Sequence, residues 1–346
     1  MRALGVLTKW TSPKTAASRK KGMVQALVGI AVLSVGLTVL PPLIGAFNLI
    51  LATQIVAYAL VAVSLQLLWG RAGQLSFGQA AFFGIGAYAY GYVSSRDSAG
   101  GWLAISLAVL IPGLIALLVG YFLFFGGIRG AYFSIVTLAF ALITYQIAIS
   151  WQSVTGGDSG LAGVNGLVLQ FGAFAIDFST GHGAYYLAMI SLLLGLAIAT
   201  AVRFSSFGLV LEAIREDENR AKLLGYNTSL YLMGTLALSA ALAGLAGGTF
   251  AAVSFIAAPD MVGALLSLEI LAWVAIGGRN YVAGALIGAA FMRVLNDQVS
   301  TVFQTSWPLI VGLVFIAVVL FFPIGIAGGI NNVWRRMTYL TKPEAR

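Results

Sequence analysis

Residues 212–222 read Glu212-Ala-Ile-Arg-Glu-Asp-Glu-Asn-Arg-Ala-Lys222, and seven of these eleven are charged in a chain that is only 9% charged. On both sides the sequence is apolar: 60% of the 346 residues are hydrophobic, and the mean hydropathy is +0.96. A water-soluble core cannot use that much apolar surface, so the bilayer must be the solvent. The charged stretch is then a loop between spanning segments. Where it falls decides how the spans are counted and which way they run.

Spans of roughly 20 residues divide the chain into about ten crossings with short loops. The candidate segments are 23–45, 48–69, 74–94, 102–126, 131–150, 184–202, 229–256, 262–277, 282–302 and 307–327. The expected fold is an all-α polytopic membrane helix bundle in one membrane domain, 23–330, with polar tails at 1–22 and 331–346. Starting from the inside, 17 of the 19 Lys and Arg residues fall in loops and tails on one side, and only Arg96 and Arg293 lie elsewhere. Asp97, Asp158, Asp177 and Asp260 fall on the other side. Positive charge is retained in the cytoplasm, so both termini and the loop 204–228 are expected there. The pI of 9.8 follows from this topology, and no nucleic-acid partner is implied.

The third segment is unlike the others. GQLSFGQAAFFGIGAYAYGYV (73–93) mixes glycine with polar residues, as expected of a re-entrant or interrupted span. Gln74, Ser76 and Gln79, with Tyr132 and Thr137 from the fifth segment, are candidates to line a path for a small polar solute. Hydrogen bonding between helices is the competing role. Glu269 is the one acid placed well inside a span, where a carboxylate costs roughly 2.5–3.5 kcal/mol to insert. It is expected to face the bundle interior, either on the pathway or in a structural hydrogen bond. GxxxG steps at Gly244/Gly248, Gly284/Gly288 and Gly325/Gly329 suit close helix packing.

Chemistry is scarce. The chain has no cysteine and a single histidine, His182, in a polar loop. It has no HExxH and no phosphate-binding glycine loop with its lysine. No catalytic residue, metal site or cofactor is expected, and any ATP is bound by another polypeptide. In the loop 204–228, Phe207, Val210, Leu211, Ile214, Ala221 and Leu224 recur among charges at helical spacing, which predicts one or two amphipathic helices. Ser205 or Ser206 is placed to cap their start and Gly225 to end them in a left-handed turn. A charged loop of this kind suits contact with a soluble partner.

Several blocks occur in a fixed order: GRAGQLSFGQAAFFGIGAY (70–88), RGAYFSIVTLAF (129–140), TGGDSGLAGV (155–164), EAIREDENRAKLLGY (212–226), LSAALAGLAGG (238–248), APDM (258–261), SLEI (267–270) and AIGGR (275–279). Over roughly residues 45–330 the chain resembles the permeases of branched-chain amino-acid ABC importers. Urea and short-amide importer permeases share most of these blocks. Gln79 stands where members often carry His, and Asn280-Tyr281 replaces a more usual Gly plus small residue.

The resemblance implies a bacterial inner-membrane subunit that carries branched-chain amino acids and performs no covalent chemistry. Its partners would be a second homologous permease subunit, two cytoplasmic ATPase subunits and a periplasmic substrate-binding protein, all within the membrane lipid. It also implies that Glu212, Ala213, Arg215, Glu218, Ala221 and Gly225 form an ATPase-coupling loop. A urea or short-amide importer permease is the alternative, and a stand-alone secondary transporter or channel a more distant one. Reporters fused at Lys14 and at Lys342 are expected to read cytoplasm at both positions. A periplasmic signal at either would refute the ten-span arrangement.

Overall fold

The computed structural model describes residues 13–96, 101–171, 174–179 and 181–302, together with residues 312, 313, 316 and 325. Within these the chain is a helix bundle. Its long helices are α1 (Pro13–Val39), α2 (Ala46–Gln66, continued by a wider π turn, Leu67–Arg71), α3 (Gln79–Ser94), α4 (Gly101–Phe125) and α5 (Gly130–Ser150). They continue with α6 (Gly181–Phe204), two short helices α7 (Ser206–Glu216) and α8 (Glu218–Leu223), then α9 (Thr228–Ser254), α10 (Ala264–Gly277) and α11 (Val282–Val302). Nine of the ten expected spans coincide with helices; the tenth, 307–327, falls almost wholly outside the described residues. Among the described residues six helices are long and apolar enough to cross a bilayer, so the structure supports a multi-pass membrane bundle. α3 and α10 are shorter, at 16 and 14 residues.

The bundle is built around α9 and α3. α9 packs against α4, α3, α2 and α6, while α3 lies against α9, α4 and α10. Twelve of the 16 residues of α3 are buried. These two helices come this close because glycine faces backbone: a side chain at Gly86 would strike the backbone of Gly244, and one at Gly247 would strike the backbone of Phe83. Small residues let transmembrane backbones approach where no solvent drives them together. Gly244 and Gly248, the first of the GxxxG steps, also meet Ala108 of α4. α1 packs against α6, leaving much of its own surface exposed.

The third segment is interrupted, as its composition suggests. After Arg71 the chain runs without helix through 73–78 and becomes helical only at Gln79. The two ends of the bundle differ. One end, called here the loop face, carries Arg71, Arg129, α7, α8 and the turn at Arg279–Tyr281. The other carries two small antiparallel pairings. β1 (Leu161–Ala162) pairs with β4 (Ile256–Ala257), which follows α9, and β2 (Val168–Phe171) pairs with β3 (Phe174–Asp177). The glycine-rich connection after α5 is thus fastened through β1 to the end of α9.

Gly86→Leu is expected to prevent α3 from seating on α9, because overpacking costs about 1–3 kcal/mol even where side chains can yield and here the obstacle is backbone. Yield and thermal unfolding in detergent measure it. Gly36→Leu on α1, where nothing lies within 4 Å of the added carbon, is the matched control and should fold normally.

Candidate functional site

The loop between α6 and α9 folds as a helix–turn–helix with each end capped from its own sequence. Ser205 Oγ accepts from the Gly208 amide at 3.1 Å and starts α7. Asp217 Oδ1 accepts from the Arg220 amide at 3.1 Å and starts α8. At the far end Gly225 takes φ +88°, with its amide on Lys222 O and the Tyr226 amide on Ala221 O. This pair of bonds is the glycine-terminated helix stop in which the two residues past the helix satisfy its last carbonyls. The apolar stripe Val210, Leu211, Ile214 and Ala221 is buried against the bundle.

The charges divide into two groups. Glu218 is drawn inward: Arg129 Nε donates to its two oxygens at 3.1 and 3.2 Å, Thr228 Oγ1 donates at 2.8 Å, and Lys222 Nζ lies 3.0 Å away. Arg129 also donates to Ser229 Oγ at 3.0 Å, and Ser229 donates to the carbonyl of Phe124. One carboxylate thus binds α8 to the start of α5 and the start of α9. Burial opposes its ionisation, yet the hydrogen bonds from Lys222 and Thr228, followed by Arg129, hold the carboxyl below the usual range.

Arg215 makes a second tether. It donates to the carbonyl of Gly70, at the end of α2, and to Asn280 Oδ1 at 3.0 Å, just past α10. Burial and the neighbouring Arg279 charge lower its pKa, against the pull of Glu212 and Glu216. Asn280, where the sequence departs from the family pattern, supplies the acceptor. Ala213 lies on the exposed side of α7 and Glu212 is half-buried. Ala221 is 1% exposed, buried within this chain rather than offered to another. What faces outward at the tip is apolar: Leu223 is 89% exposed, Leu224 57% and Tyr226 43%.

The six residues considered for a pathway do not converge on one surface. Three of them clothe the non-helical stretch. Gln74 Oε1 accepts from the Gly130 amide at 3.3 Å, Ser76 Oγ accepts from the Gly78 amide at 3.1 Å, and Thr137 Oγ1 accepts from the Phe77 amide at 3.1 Å. Ser134 adds a bond to Leu75 O, and Ser267 Oγ accepts from the Ala80 amide. Gln79 belongs to a separate buried cluster, donating to Ser64 Oγ at 2.6 Å and Ser239 Oγ at 3.1 Å and so joining α2, α3 and α9. Tyr132 stands apart on the outer side of α5, 75% exposed.

Glu269 opens onto a cavity of about 580 Å³ between α2, α5, α9 and α10, lined also by Tyr58, Tyr145, Phe250, Asp260 and Leu266. Arg293 lies near enough to act on its charge, but is itself bonded to Gln54 Oε1 at 2.9 Å and set over the Tyr58 ring. Sequence reasoning missed Arg129, Thr228 and Ser229 as the anchors of Glu218, and Ser64 and Ser239 as the partners of Gln79. The available signal was a lone polar residue on an otherwise apolar helix.

The family model described as the branched-chain amino acid transport system / permease component matches residues 47–323. The chain is 26% identical over 299 residues to the high-affinity branched-chain amino acid transport system permease protein LivM of Salmonella typhimurium, covering 80% of this chain and 69% of that one. It is 27% identical over 295 residues to LivM of Escherichia coli, with the same coverage. The Escherichia coli permease protein LivH is 24% identical over 284 residues, 78% of this chain and 91% of LivH. No solved structure matches. With the family's blocks falling on the broken span, the tethered loop and the helices that receive it, the chain belongs to the permease-component family of branched-chain amino acid transport systems.

Proposed function

We propose that this chain is one membrane subunit of an ATP-driven importer of branched-chain, hydrophobic amino acids in the bacterial inner membrane. A second homologous permease subunit would complete the passage. Two ATPase subunits would dock on the loop face, and a periplasmic binding protein would deliver the amino acid to the opposite face. The loop face is then cytoplasmic, in keeping with the positive charge gathered there.

The observation that carries this reading is the division of the loop at 204–228 into an anchored side and a free side. Arg215 and Glu218 fasten it to the ends of α2, α5, α9 and α10, while Leu223, Leu224 and Tyr226 present an exposed apolar tip, Tyr226 resting edge-on against Tyr231. Exposed apolar residues rimmed by charge suit insertion into a partner's cleft. A push on that tip reaches the interrupted span through Gly70 and the cavity helix α10 through Asn280. The open cavity at Glu269 and Asp260 suits the route: its aromatic and aliphatic walls fit an apolar side chain, and its carboxylates fit an ammonium group. Opposed to the equivalent face of a second subunit it would become enclosed.

The loop is tested by co-purification of the ATPase subunits. Leu223→Asp with Leu224→Asp is expected to release them while leaving insertion and thermal stability nearly unchanged, since both side chains are largely exposed. Arg215→Gln is expected to keep the ATPases bound and to lower uptake per ATP hydrolysed. Full uptake in both variants would remove the coupling role. Ala221→Arg is a poor probe, because the new side chain would strike this chain's own interior.

Glu269→Gln preserves the shape of the cavity and removes its charge. We expect assembly to be retained and uptake of zwitterionic amino acids to fall roughly tenfold, the effect of losing one charge-assisted contact. Unchanged uptake would take Glu269 off the route.

A further inference from the structure

Two spanning helices end next to each other on the loop face, each at an arginine. The π turn of α2 closes on Arg71, and α6 carries Arg203 one residue before its end. Between them, α7 and the turn after α10 lies a polar cavity of about 430 Å³ lined by Arg71, Arg203, Arg215, Glu212, Glu216 and Asn280. It is distinct from the cavity at Glu269 and from the apolar tip of the loop.

Its charges are unusually placed. Arg215 is occupied by Gly70 and Asn280. Among the described residues, Arg71, Arg203, Glu212 and Glu216 form no ion pair within 4.0 Å and no side-chain hydrogen bond, although all four face one space. Arg71 is repelled by both Arg203 and Arg215 and attracted by Glu212. Like charges brought together away from bulk water are relieved by an anion between them. Glu212 and Glu216, one turn apart on α7, bring two carboxylates to the same space. The space therefore offers guanidinium groups to an anion and carboxylates to a cation, with little apolar wall for the side chain of a hydrophobic solute.

Depth narrows the ligand. Arginines at the last residues of spanning helices sit at the level of lipid head groups, where basic pockets between helices bind lipid phosphates. We propose that this cavity holds a phospholipid head group, its phosphate against Arg71 and Arg203 and its primary ammonium against Glu212 and Glu216, which is the phosphoethanolamine head group. The lipid would then link the ends of α2 and α6 to the loop helix α7. The proposal does not depend on which solute the permease carries.

Thermal unfolding of the delipidated, detergent-purified protein tests it, with short-chain phosphatidylethanolamine, phosphatidylcholine, phosphatidylglycerol or inorganic phosphate added. Phosphatidylethanolamine is expected to raise Tm more than either other lipid. Arg203→Gln should weaken that response about tenfold, as expected for one lost charged hydrogen bond. Glu216→Gln should keep a response to lipid but abolish the preference for ethanolamine over choline. Arg71→Gln serves as a second phosphate-side variant, scored only if its Tm without lipid matches the parent.

The proposal is overturned if phosphatidylethanolamine gives no greater shift than phosphatidylcholine. It is equally overturned if Arg203→Gln responds like the parent or if Glu216→Gln retains the ethanolamine preference. A full shift from inorganic phosphate alone would identify a free-oxyanion site and remove the lipid.

Discussion

A backbone amide inside a bilayer must find a partner within the protein, because no water is there to take its place. This requirement governs the structure from the third span outward. Residues 73–78 have no helix of their own, so their amides and carbonyls must be satisfied from outside the segment or by its own side chains. Thr137 and Ser134 of α5 serve Phe77 and Leu75, and Ser76 serves Gly78. Ser267 of α10 serves Ala80, and Gln74 returns the bond to Gly130. The fold can leave this stretch unwound only because α5 and α10 stand where they do, and their polar residues are set at the depth of the gap.

The same economy applies to charge at the loop face. An exposed surface ion pair is worth little, typically 0–1 kcal/mol, and Arg220 with Asp217 is of that kind, an i,i+3 pair largely in solvent. Glu218 differs because Arg129, Thr228 and Lys222 all converge on it and its side chain is only 21% exposed. Removing one partner there would strand a half-buried charge, which costs more than an exposed pair contributes. Position, rather than the number of charges, separates the residues that fasten the loop from those free to meet another molecule.

Much of this was legible in the sequence. Hydropathy located nine helices and the charged loop, and Ser205 and Gly225 marked the loop's two ends because capping and left-handed turns are local chemistry. The glycine and polar content of 73–93 pointed to a re-entrant or interrupted span, and the structure leaves 73–78 without helix before α3 begins at Gln79. What was not legible was direction. Ala221 and Leu223 are both apolar residues in one short helix, but only three-dimensional packing turns the first inward and leaves the second bare. The polar residues of the third and fifth segments could line a passage or bond between helices as far as the sequence went, and the structure shows backbone or helix–helix bonds for most of them. Sequence spacing cannot foretell which amide lies across from a threonine 60 residues away. The pairing of β1 with β4 escaped notice for the same reason, being two residues long and joined across almost 100 positions.

That short pairing has a mechanical consequence. α9 is a rod of 27 residues, about 40 Å long at 1.5 Å per residue. One end is tied through Thr228 and Ser229 to the loop, and the other runs directly into β4 and the folded connection on the far side. Near its middle it bears on α3 and α4 through Gly244, a contact too close to slide without separating the helices. A rigid rod tied at both ends joins them, so the loop on one face and the paired strands on the other share a single mechanical part.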